Sequence, residues 1–189
     1  VAADSKVLIG IAAARLIPDN SSVILNIGTT TEQVATALRR HQGLMVITNN
    51  INVANILRDA PSAEVVIAGG LVRHSDGGIM GEATVDFIRQ FKVDFAVIGA
   101  SAIDRDGSIL DYDFREVKVS QAIIAQARKT ILVSDSLKFE RTAPVRIADL
   151  SMIDVFVTEV EPPREIVDFC RAHDVELIIA GPMAAEQAA

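Results

Sequence analysis

The segment Ile27-Gly28-Thr29-Thr30-Thr31-Glu32 sets a glycine and three hydroxyls between an aliphatic run and the onset of helical periodicity. Two chemistries fit it. The first backbone N–H groups of a helix lack partners and carry partial positive charge, so a glycine and hydroxyls placed there suit a phosphate. Alternatively, Thr29 and Glu32 form a Ser/Thr-x-x-Glu capping box, which closes the helix and binds nothing.

Other candidates share one placement, directly after an aliphatic run. They are Thr48-Asn49-Asn50, Gly69-Gly70, Gly99-Ala100-Ser101 and Ser134-Asp135. Arg73 offers either a bidentate cation for phosphate oxygens or an exposed loop arginine. Asp76 with Gly77 and Gly78 reads as a flexible lid or as a turn. Asp111 and Glu116 flank the start of a helix, where they accept hydrogen bonds from ligand hydroxyls or complement the helix dipole. Lys138 either neutralises phosphate charge or is a surface lysine, and Lys118 reads as solvated. His41, His74 and His173 are scattered without metal-ligand spacing, and the single Cys170 excludes an internal disulfide and a CxxC site. No metal and no other cofactor is expected.

The elements that would position these residues alternate. Ser5 to Ile17 is helical, broken by Pro18-Asp19-Asn20-Ser21. Strands are expected over Val23–Ile27, Leu44–Thr48, Glu64–Ala68, Val93–Ile98, Thr130–Val133, Asp154–Thr158 and Glu176–Ile179, with Ser108–Asp111 extended. Helices are expected over Glu32–Arg40, from Asn50 to Leu57, over Glu82–Phe91 and Phe114–Arg128, and after Pro162-Pro163. Leu71 to Gly81 reads as a loop. Strand, polar tip, helix, strand is the signature of an α/β fold with a mostly parallel open sheet flanked by helices. In such sheets ligands lie beyond the carboxyl ends of the strands, so the polar tips imply an anion-binding pocket on one rim.

Composition supports this reading. Half of the 189 residues are hydrophobic, aromatics are only 4% and Trp is absent, which favours aliphatic strands covered by Ala-rich helices. The net charge of −7 and the lack of a Lys/Arg cluster argue against nucleic-acid binding by this polypeptide itself. No signal peptide and no membrane-spanning run is evident, so the cytoplasm is the expected compartment. The chain opens at Val1, already in helical pattern, as a piece of something longer would.

Taken in order, Gly28-Thr29-Thr30-Thr31, Val46-Ile47-Thr48-Asn49-Asn50, Ala68-Gly69-Gly70, Gly99-Ala100-Ser101-Ala102-Ile103-Asp104 and Ser134-Asp135-Ser136-Leu137-Lys138-Phe139 resemble the C-terminal effector-sensing domain of DeoR-type transcriptional regulators. The resemblance covers about Ser5 to Ile178. Asn52-Val53-Ala54-Asn55, the Asp76–Thr84 segment and Asp106-Gly107-Ser108-Ile109-Leu110 narrow it to the branch answering to glycerol 3-phosphate. It implies a sheet related to sugar-phosphate isomerases and CoA transferases, a phosphorylated small-molecule effector, and homo-oligomerisation as dimer or tetramer. It also implies operator DNA bound through an N-terminal winged helix-turn-helix, a domain expected to be absent from this chain. Residues 1–182 are then the sensing domain and 183–189 a loose tail. A sugar-phosphate isomerase on the same fold is the alternative. Against it, Ser101 and Ala102 stand where ribose-phosphate isomerases carry acidic residues.

Overall fold

The computed structural model describes residues 2–181, so the expected tail at 183–189 lies outside the described residues. Its spine is a seven-stranded sheet built from β1 (Ser22–Leu25), β2 (Leu44–Thr48), β3 (Ala63–Ile67), β6 (Val93–Ile98), β9 (Ala127–Val133), β11 (Val155–Thr158) and β12 (Glu176–Ile179). Every pairing is parallel, in the spatial order β12-β11-β9-β6-β1-β2-β3.

Both faces of the central strands are buried, which is why β1, β2, β11 and the carboxyl halves of β6 and β9 read as aliphatic runs, whereas the edge strands β3 and β12 are partly exposed. Successive side chains point to opposite faces. Val23, Leu25, Val46, Val97, Ile131 and Val133 meet a core supplied by α1 (Ala2–Ala14), α2 (Thr29–Leu38) and α3 (Ile51–Leu57). Ile24, Ile47, Ile98, Leu132 and Phe156 meet the opposite core, supplied by α4 (Glu82–Ile88), α5 (Phe114–Ala125) and α6 (Arg164–Ala172). A three-stranded antiparallel sheet thickens that second core. It is formed by β7 (Ala102–Ile103), β8 (Ser108–Asp111) and β10 (Val145–Asp149), and buries Ile103, Ile109 and Ile147.

Four sequence expectations need correction. The helix expected from Glu32 begins at Thr29, with Gly28 in the N-cap position at φ 121°, a conformation costly for residues with a Cβ. The expected loop from Leu71 to Gly81 contains a hairpin of β4 (Leu71–Val72) and β5 (Ile79–Met80). The helix expected to reach Arg128 stops at Ala125, because Ala127 and Lys129 pair with Val93 and Phe95 of β6. The antiparallel sheet was legible only in part, as the extended Ser108–Asp111.

Chain order and spatial order together define one special place. From β1 the chain winds outward through β2 to β3, then crosses back to β6 on the other side of β1 and winds away through β9, β11 and β12. The connections leaving β1 and β6 therefore diverge, opening a crevice at the carboxyl edge between them.

Candidate functional site

A cleft of about 170 Å³ occupies this crevice. After β1 it is lined by Ile27, Gly28, Thr29, Thr30 and Thr31; after β6 by Gly99, Ala100 and Ser101; after β9 by Val133 and Lys138. Arg73 and Asp76 from the hairpin turn and Asp111 at the end of β8 complete the wall.

Asn26 fastens the two diverging tips together. Its Oδ1 accepts from the Gly99 amide (3.0 Å) and from Thr31 Oγ1 (3.2 Å), and its Nδ2 donates to Ser120 Oγ (3.2 Å). Thr31 also donates to Ile27 O (3.4 Å), so this hydroxyl braces the turn. The alternative, a Thr29–Glu32 capping box, does not form. Thr29 lies inside the helix, no side chain caps Gly28, and Glu32 Oε2 instead accepts from Asn50 Nδ2 (3.1 Å) and Asn52 Nδ2 (3.3 Å). The first i→i−4 bond of α2 runs from Glu32 N to Gly28 O, so the amides of Thr29, Thr30 and Thr31 precede the helical ladder. They face the cleft end of the helix dipole.

Three cationic side chains surround that end. Lys138 lies in a short 3₁₀ turn, Ser136–Glu140, whose start is capped by the buried Asp135 accepting from Leu137 N (3.0 Å). Burial above all holds the Lys138 ammonium below its ordinary pKa, against the pull of Asp135. Lys6 of α1 donates to Thr29 Oγ1 at 2.8 Å. Arg73 is already engaged: Nε and Nη2 bind Asp76 Oδ1 and Oδ2 (3.1 and 2.6 Å), and Nη1 reaches Asp113 Oδ2 (3.3 Å). The pair with Asp76 is the main reason the guanidinium pKa lies above its usual value. Asp111 Oδ1 accepts from Ser101 Oγ (2.9 Å) and from the Tyr112 amide (2.7 Å).

The remaining sequence candidates are placed elsewhere, beneath the hairpin. Thr48 Oγ1 donates to Leu25 O (2.7 Å). Asn50 caps α3, accepting from Asn52 N (2.9 Å) and Val53 N (3.4 Å). Asn49 Nδ2 donates to Ile79 O (3.0 Å) and to Glu116 Oε1 (3.0 Å) and Oε2 (3.3 Å). Gly69 O accepts from Thr84 Oγ1 (2.7 Å), and Gly70 lies against that same threonine. Glu116 is 1% exposed, and burial pushes its carboxyl up to about pKa 8, although Asn49 and Arg73 both favour the charged form. Of the two readings of the Asp76-Gly77-Gly78 segment, the turn is what forms. Asp76 Oδ1 accepts from Gly78 N (3.0 Å), and the turn is tied down by Ile51 N to Gly77 O and Ile79 N to Asn49 O.

Sequence reasoning missed Lys6, Asn26, Ile27 and Val133. Gly10 was a usable signal for Lys6: a glycine amid Ala and Ile marks a close helix approach. A Cβ at Gly10 would come within 2.7 Å of the Gln33 backbone, so α1 lies directly on α2 and brings Lys6 over its first turn. Among the described residues no three His, Cys, Asp or Glu side chains converge to hold a metal, and no helix is long and apolar enough to cross a membrane.

The site is a cleft at the switch point of a doubly wound sheet, with an uncapped helix N-terminus and cationic side chains around it. Comparison with known proteins settles the class: residues 1–160 match the DeoR C terminal sensor domain, and the chain belongs to that family. It is 48% identical over 166 residues to the glycerol-3-phosphate regulon repressor of Haemophilus influenzae, and 44% identical over 164 residues to that of Escherichia coli. These alignments cover 88% and 87% of this chain but 64% and 65% of those proteins, so the chain spans about two thirds of their length. Solved structures with the same fold include eIF2B delta from Chaetomium thermophilum (TM-score 0.62, 17% identity, 83% of this chain and 56% of that one). Another is ribose 5-phosphate isomerase from Plasmodium falciparum (TM-score 0.52, 14% identity, 72% and 53%). The relation to the isomerase fold expected from the sequence is thereby found, as a likeness of fold alone.

Proposed function

We propose that this chain is the ligand-sensing part of a transcriptional repressor, and that it binds a phosphorylated small molecule, glycerol 3-phosphate, in the switch-point cleft. The observation that carries this is the uncapped start of α2, where Gly28 leaves three threonine amides facing a cleft that also holds Lys138. Glycine lets the backbone approach a phosphate closely, and the amides and dipole favour its charge. At about 170 Å³ the cleft is small beside the usual ~300–1,000 Å³ of ligand pockets, which suits a short carbon skeleton. Asp111 and Ser101 stand on the opposite wall as partners for hydroxyls.

In this reading bound ligand favours one arrangement of the domain, and operator affinity falls because DNA-binding units joined to it are misplaced. Such coupling amounts to ~1–3 kcal/mol and requires different ligand affinities in the two arrangements. The full repressor acts as a homo-oligomer in the cytoplasm. A sensor is favoured over an enzyme because the curated relatives are repressors; of the two candidate carboxylates, Asp111 accepts from Ser101 and the Tyr112 amide, and Glu116 is buried behind Asn49.

Thermal-shift titration of the chain with glycerol 3-phosphate, glycerol and inorganic phosphate tests the reading. A ligand at a hundred times its dissociation constant stabilises the fold by about 2.7 kcal/mol. The expected result is a shift with glycerol 3-phosphate that exceeds both controls and is lost in Thr30→Val. Turnover of ribose 5-phosphate or glucosamine 6-phosphate would overturn the non-enzymatic reading.

A further inference from the structure

Helix α1 is not part of the sheet's rim, yet it brings a charged group to Thr29 at the edge of the cleft. Lys6 Nζ donates to Thr29 Oγ1 at 2.8 Å, and Thr29 is the first residue of α2. The placement is held from below. At Gly10, one turn further along α1, there is no space between the helices for even a methyl group, because the Gln33 carbonyl carbon and oxygen lie within 2.7 Å of where it would stand. Ile9, Ala12 and Ala13 of α1 are buried in the same core as Val34, Ala35 and Leu38 of α2. The two helices therefore form one packed unit, and the Lys6 stem has a fixed base.

Lys138 lines the same cleft from the far side, half-buried and flanked by Asp135 and Asp111 as well as by Arg141 and Lys6. Two ammonium groups on either side of one cleft, with Lys6 Nζ 2.8 Å from Thr29 Oγ1, place positive charge on both flanks of an anion bound at the start of α2. A dianionic phosphate there accepts a charge-assisted hydrogen bond from each. Neutral ligands of the same shape do not.

We infer that Lys6 is a phosphate-binding residue of the sensing cleft and that, through it, α1 is the element that registers occupancy. This rests on the phosphate reading of the cleft. Lys6 donates to the Thr29 hydroxyl; with phosphate bound it spans from α1 to the anion and ties the first turn of α1 to the occupied cleft. The family's sensor domain stands C-terminal, so its first helix is the natural exit for a signal toward whatever precedes it.

The test pairs affinity with local protection. Titration calorimetry with glycerol 3-phosphate is run on the unaltered chain, Lys6→Met, Lys6→Gln and Lys138→Met, followed by amide hydrogen exchange of residues 7–14 with saturating ligand. Each lysine substitution is expected to weaken binding about tenfold. Ligand is expected to slow exchange across residues 7–14 in the unaltered chain and in Lys138→Met, but not in either Lys6 variant. If the unaltered chain binds glycerol 3-phosphate and the Lys6 variants match it in affinity and in protection, the role of Lys6 and α1 is overturned while the sensing cleft stands. If the unaltered chain binds no phosphorylated probe, both fall together.

Discussion

Two helix N-termini stand side by side on the same rim, after β1 and after β2, and they are finished in opposite ways. At α3 the side chain of Asn50 turns back to accept from Asn52 N and Val53 N, so the helix end is closed by its own residue. At α2 the corresponding position is Gly28, which has nothing to turn back. Both follow a strand and a polar tip, and both read in sequence as possible anion sites. The difference is where the donors are spent. The side-chain donors of Thr48, Asn49 and Asn50 go to other parts of the protein: Leu25, Asn26, Glu32, Ile79 and Glu116. That half of the rim is a brace for the hairpin. Around Gly28–Thr31 the backbone donors face a cleft, and a brace is supplied from outside by Asn26.

The sharpest way to break the contrast is to close the open end. Gly28→Asp places a capping carboxylate, and its charge, where a phosphate would sit. Binding of glycerol 3-phosphate is expected to drop below detection by calorimetry. Retained binding would show that the start of α2 is not the anion site.

On the closed side the largest effect comes from Glu116. Its carboxyl is raised from an ordinary 4.5 to about 8 in the folded chain. The unfolded chain therefore releases this proton first, and the contribution to stability is whole below about pH 4.5, falls as pH rises, and is gone above about pH 8. The slope amounts to a few kcal/mol across that interval. Glu116→Gln is expected to flatten it, with the variant gaining on the unaltered chain as pH rises. Chemical denaturation at pH 5, 7 and 9 measures both.

Gly78→Ala probes the seam between the two halves. The added methyl would lie 2.8 Å from Ile27 Cγ2, at the foot of the cleft. Overpacking of this kind costs ~1–3 kcal/mol, and urea midpoints should report it. Asn50→Ala is the mildest change. Loss of the α3 cap is expected to cost ~1 kcal/mol, with ligand affinity within threefold of the unaltered chain. A large loss of affinity there would erase the distinction between brace and site.

What the sequence disclosed follows from how each element is stabilised. The central parallel strands are buried on both faces, so their aliphatic runs and polar ends were visible without any knowledge of partners. The helix start at Thr29 was not, because the Thr29-x-x-Glu32 pattern matches a capping box and only the fold reveals that Glu32 is claimed by Asn50 and Asn52. Ala127-Arg128-Lys129 looked like a basic helix tail. Pairing with Val93 and Phe95, 34 residues earlier in the chain, overrode that local preference. The strands β7 and β10 escaped notice since one is two residues long and the other alternates weakly. Of the cleft, the segments at Gly28–Thr31 and Gly99–Ser101 were readable as strand tips. Lys6 was missed because its position depends on one helix lying on another, which Gly10 alone hinted at.

The crossover from β3 back to β6 has a kinetic consequence. The cleft joins residues as distant in sequence as Gly28 and Lys138, so it exists only once both wings of the sheet have docked. Contacts of such long range form late in folding. An occupant therefore cannot speed the search for the native state; it acts on the way out, slowing unfolding and lengthening the lifetime of the assembled domain.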